Sequence, residues 1–150
     1  MTATAQPTTT SPARAKAAGT LAVLIMVIGG LLTAAGVGTW VAVQYNLAQE
    51  NITVADDSPM FAGQAVTGPL TAYAQAEIIE KHALEATGGK TYAELDREDP
   101  VREVAMNASF LRASLFTSVV AFGVALLSVG LGVTLILVGA ALRSLRKAIV

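Results

Sequence analysis

The chain has no cysteine, one histidine, and two long stretches with no charge at all. Without cysteine there is no disulfide framework, no lipid-bearing anchor cysteine and no thiolate chemistry. A lone His82 removes most metal centres and most nucleophile–base pairs, which rely on several imidazoles or thiolates acting together. No glycine-rich phosphate loop follows a strand pattern, and no basic surface interleaved with aromatics is present, so nucleic acid is excluded as a partner. Charge is missing from residues 17–49, between Lys16 and Glu50, and from residues 113–142, between Arg112 and Arg143. A spanning helix needs about 20 mostly apolar residues to cross about 30 Å of hydrocarbon. Both runs are longer. The sequence therefore reads as an all-α membrane protein, a two-span transmembrane hairpin with a small, mainly helical extracytoplasmic segment and the lipid bilayer as its first partner.

What charge there is lies segregated. The flanks carry Arg14, Lys16, Arg143, Arg146 and Lys147 and no acid, whereas Glu50 to Arg112 holds all eleven acids against Lys81, Lys90, Arg97, Arg102 and Arg112, a net −6. Cations near span ends stay on the cytoplasmic side. This predicts a two-pass protein with both termini inside and the acidic middle outside. Arg14 and Lys16 before an apolar stretch imitate a signal peptide, but the stretch runs past Val43, beyond the roughly 7–15 residues of a signal core. A retained anchor is expected.

These boundaries give a disordered cytoplasmic tail at 1–16, whose Thr, Ala and Pro cannot offset the entropy of ordering, and a first span at 17–45. An extracytoplasmic segment at 46–112, a second span at 113–142 and a basic cytoplasmic tail at 143–150 complete the chain. Trp40, Tyr45, Arg112 and Arg143 are the expected interface anchors. Gly30, Ala34 and Gly38 recur at four-residue steps on the first span; Gly123, Ser128 and Gly132 offer small surfaces on the second, with Gly130 and Gly139 adding further flat patches. Lipid supplies no hydrophobic push between helices, so small residues that permit close approach favour association. The pattern fits packing within the hairpin, contact in a homo-oligomer, or merely the glycine content common in spans.

Outside, Gly, Pro, Asp and Ser between residues 50 and 68 read as turns with short extended pieces such as Ile52–Val54. Pro69 suits a first helical position and Gly88-Gly89 a stop, predicting a helix at 69–87. Glu77, Lys81 and Glu85 form an exposed ladder on it, with Ile79, His82, Ala83 and Ala86 opposite. Thr91 and Glu94 have capping-box spacing and predict a short helix at 92–96. Asp99-Pro100 opens a helix with no breaker before about Arg146. Its Val101, Val104, Ala108, Leu111 and Leu115 lie on one face. The 69–87 helix is expected to cover that stripe through Ile79 and Ala83, with His82 near the contact.

Chemistry is sparse. Glu85 follows His82 by three residues, but a two-metal carboxylate bundle needs repeated Glu-x-x-His sets, and residue 79 is Ile. Glu94, Asp96, Glu98 and Asp99 lack the glycine turn and ligand order of a calcium loop. Asn51–Thr53 and Asn107–Ser109 fit a glycosylation pattern that matters only in a eukaryotic secretory route. Pores usually place ionisable groups inside the membrane; here the spans offer only the hydroxyls of Thr33, Thr39, Thr117, Ser118, Ser128 and Thr134. No catalytic residue, metal site or cofactor is expected.

The stretch GPLTAYAQAEIIEKHALEATGGKTYAELDREDPVREVAMNASFLRASLFTSVVAFGVA, Gly68 to Ala125, with ENITVADD and MFAGQAV before it, resembles a family of small two-span membrane proteins of actinobacteria. Its members are often labelled aromatic ring-opening dioxygenase. The resemblance implies the same topology and a bacterial plasma membrane. Extradiol ring opening needs iron held by two His and a carboxylate with open positions, which one His cannot supply, so no catalytic residue is carried over. The leading expectation is a non-enzymatic accessory or scaffold protein meeting a membrane or exported protein through its outer helices. A subunit of a ring-opening enzyme is the alternative, and a small oligomeric pore the third.

Overall fold

The computed structural model describes the backbone of residues 12–149 and the side chains of residues 16–146. Three helices fill it: α1, Pro12–Gln49, α2, Pro69–Ala86, and α3, Arg102–Ile149. Both α1 and α3 are long and apolar enough to cross a membrane. Of the expected tail, residues 1–11 lie outside the described residues, and Pro12–Lys16 already belong to α1 rather than to disordered chain. Residues 147–150 of the basic tail contribute no described side chain.

The chain divides into two compact units, one made of residues up to Ala35 with those from Ser128, the other of Gly36–Leu127. In the first unit α1 and α3 run antiparallel at backbone contact. A Cβ on Gly29 would stand 2.5 Å from the Gly132 carbonyl oxygen, and one on Gly139 2.7 Å from that of Ala22. Ala22 and Gly29 are seven residues apart, as are Gly132 and Gly139. That heptad spacing is the one used by left-handed helix pairs. The Ser128 hydroxyl donates to the Leu32 carbonyl at 3.0 Å, a hydrogen bond from one helix to the other.

This corrects the packing face expected for α1. Gly30 and Gly38 have no atom within 4 Å of where a Cβ would stand, and the same holds for Gly123 and Gly130 on α3. Ala34 is exposed. The four-residue column Gly30–Ala34–Gly38 sits one residue away from the column that meets α3. Small residues at steps of four and of seven both exist on α1, and the seven-residue set is the one that has a matching glycine set on α3.

The second unit holds the core: Leu47 of α1, Val54 and Val66 of the connection, Ala72, Ala74 and Ala76 of α2, and Leu115 and Phe122 of α3. Trp40 packs edge-on against Phe122 at 4.7 Å between ring centroids, a contact between α1 and α3. The α1–α2 connection forms a minimal hairpin, with Thr53 bridged to Ala65. Its ladder bonds run from the Val54 N–H to the Gln64 carbonyl (2.9 Å) and from the Val66 N–H to the Ile52 carbonyl (2.8 Å).

Local chemistry sets the ends of α2. Thr71 Oγ1 accepts the Gly68 N–H at 3.2 Å at the start. At the end Gly88 and Gly89 adopt φ +67 and +87, and the Gly89 N–H returns to the Leu84 carbonyl at 2.7 Å, the left-handed stop that glycine permits. The Asp99 carboxylate accepts the Val101 N–H at 3.0 Å and caps α3.

Two further expectations change. Residues 92–96 form a turn, not a helix. Glu94 does accept the Thr91 N–H and hydroxyl, each at 2.8 Å. However, the Arg102 guanidinium takes the carbonyls of Tyr92 and Leu95, the acceptors that a continuing helix would have used. On α3 the stripe facing inward is Ala105, Ala108, Arg112, Leu115, Phe116 and Val119, while Val104 and Leu111 lie exposed beside it.

Candidate functional site

The second half of α2, the turn at 90–92 and α3 from Ala105 to Phe116 enclose a cleft of about 250 Å³. Its floor is apolar, from Ala83, Leu84, Ala105, Ala108 and Phe116, and its polar groups come from Glu80, Lys90, Tyr92, Ser109 and Arg112. The antiparallel course of α2 along α3 builds this wall. Tyr73 meets Phe116 edge-on at 5.8 Å, and Arg112 reaches both Glu77, at 3.7 Å, and Glu80.

Arg112 is therefore the centre of an ion cluster. Its guanidinium stacks 5.1 Å from the Phe116 ring centre, and its Nε–H is buried without a hydrogen-bond partner. Glu77 joins this cluster instead of the ladder expected on α2, where Lys81 and Glu85 alone pair, at 3.9 Å. Of the other expected anchors, Tyr45 and Arg143 are exposed.

A second cluster ties the hairpin turn to α2. The Asp57 carboxylate lies 2.9 Å from His82 Nε2 and 3.1 Å from Lys81 Nζ. The hydrogen bond from His82, then that from Lys81, hold the Asp57 carboxyl below the usual carboxylate range. The same Asp57 contact raises Lys81. His82 is exposed and points to the turn rather than into the contact with α3. Lys81 and His82 stand out in the sequence but Asp57 does not, since it lies 25 positions from His82 and meets it only once the hairpin has formed. Glu94 is likewise held low, chiefly by the Thr91 backbone N–H.

Among the described residues no group of three His, Asp, Glu or Cys is placed to hold a metal ion. In the long helices the hydroxyls of Thr33, Thr117, Ser118 and Thr134 donate to carbonyls four residues back on their own helix, the usual fate of such groups in apolar helices. No family model matches the chain, nor does any curated protein or solved structure.

Proposed function

We propose that the chain is a two-span protein of a bacterial plasma membrane, with both termini in the cytoplasm, that acts as a non-enzymatic accessory or scaffold. Its outer segment, 46–112, meets a membrane or exported protein. One observation carries this reading. In the second unit the face of α3 turned to α1 repeats every seven residues through Ala125 and Ser118 to Leu111 and Val104. Helix α1 ends at Gln49, level with the start of this outer stretch, since Trp40 already stands opposite Phe122. Leu111 and Val104 thus continue a helix-contact stripe past the end of its partner, 55% and 47% exposed. An apolar stripe left open in water is what a partner helix or strand covers. The label attached to the resembling family adds no site to this picture, and the hydroxyls of Thr33, Thr117, Ser118 and Thr134 are spent on their own helices, where a pore usually places ionisable groups.

A photo-crosslinking residue at Leu111 or Val104, expressed in native membranes, tests the idea. The same discrete protein adduct should form from both positions and not from Arg97. Replacing the neighbouring stripe residue by Asp should abolish it, because an unpaired carboxylate is costly to bury. No adduct, or lipid adducts alone, would remove the scaffold reading.

A further inference from the structure

We infer that the first two turns of α2 lie in the outer interface of the same bilayer, so that the outer segment rests on lipid as well as being tethered to it. The inference rests on the spanning reading above. It begins with where charge starts along each helix. Pro69 to Ala76 carry none, and Glu77 and Glu80 are the first charged residues of α2. Both pair with Arg112, the last charge of α3 before its long charge-free run. The polar border of α2 and that of α3 therefore coincide at one level.

Everything of α2 on the far side of that border is uncharged and partly bare. Tyr73 is 41% exposed while its ring meets Phe116, four residues into the charge-free run, and Leu70 is 66% exposed. Leu70 stands about 10 Å along the helix from Glu77, at 1.5 Å per residue. Because α2 and α3 run antiparallel, this places it level with Val119 and Val120. Val120 is itself a bare apolar residue of the spans, as are Val41 and Tyr45 on α1. The bare residues of α2 thus stand level with residues that the spans would offer to lipid. An end-on helix reaching about 10 Å past the border crosses the headgroup layer to the edge of the hydrocarbon, which is about 30 Å of a bilayer about 40–45 Å thick. Tyrosine suits that layer, with its ring in the apolar part and its hydroxyl in the wet part. Charge is segregated along the axis of α2 rather than around it, which suits a helix entering the interface by its N-terminal end.

The absence of cysteine makes the test direct. Leu70→Cys, Lys90→Cys and Leu127→Cys are each spin-labelled in the full chain, reconstituted in vesicles of phosphatidylethanolamine and phosphatidylglycerol. Collision of the label with oxygen, which concentrates in lipid, is compared with collision with a nickel chelate, which stays in water. The label at 70 should favour oxygen several-fold over the label at Lys90, approaching that at Leu127. A label at 70 that meets nickel as freely as the one at 90, while 127 stays oxygen-rich, overturns the proposal and leaves the spanning reading standing. If 70 is shielded from both reagents, protein covers it, a second copy or another chain, and the lipid assignment fails. If 127 also meets nickel, the spanning reading falls and the proposal with it.

Discussion

Asp57 sits in the turn of the hairpin and holds it to α2 through two donors, His82 and Lys81. Its carboxyl is held below 3.8 in the folded chain. The stability this confers is present above the unfolded value and is lost as pH falls through the lower folded one. Lys81, raised above 10.5, contributes fully below that value and loses its share only as pH rises through its own folded value. The tie is thus intact across neutral pH and released in acid. Protection of the Val54 and Gly63 amides against hydrogen exchange should therefore drop below about pH 3.8, and Asp57→Asn should remove that acid step. An unchanged step in the variant would assign it to another carboxylate. Two of these three residues are adjacent on a helix readable from sequence; the third reaches them through a hairpin whose register no local pattern specifies.

At the scale of elements the contact between α1 and α3 turns on which column of small residues is used. Gly29 and Gly132 meet backbone to backbone, while Gly30 and Gly38 face open space. Gly29→Ile or Gly132→Ile should separate the helices at a cost of about 1–3 kcal/mol, the usual range for overpacking. Gly30→Ile should change the stability of the isolated chain little. Unfolding measured in micelles decides it: equal losses at positions 29 and 30 would place the contact on neither column alone. The extent of the three helices was legible because its signals are local, namely charge-free runs, Pro69, the glycine pair at 88–89 and the Asp99 cap. Register was not. Gly29 and Gly30 are neighbours, and only the facing glycines of α3 choose between them. Likewise Ala105 is buried and Val104 exposed, a choice between neighbours that apolar spacing alone does not make. The turn at 92–96 escaped for a different reason: Thr91 and Glu94 make their expected contact, but a guanidinium seven and more residues downstream takes the carbonyls that a helix required.

For the whole molecule, the basic flanks against the acidic centre predict that a cysteine at Lys90 reacts with an impermeant maleimide in intact cells while one at Thr8 does not. Reaction at Thr8 alone would invert the orientation. Of the five cations in the outer segment, Arg112 stands nearest a span under the proposed orientation, at an outer end where positive charge is disfavoured. Its engagement by Glu77 and Glu80 has a consequence for biosynthesis. In that orientation a chain made from its N-terminus would deliver Glu77 and Glu80 across the membrane before Arg112 emerges. The arginine would then meet two carboxylates already outside, and its pairs with Glu77 and Glu80 would close only after the outer segment had crossed.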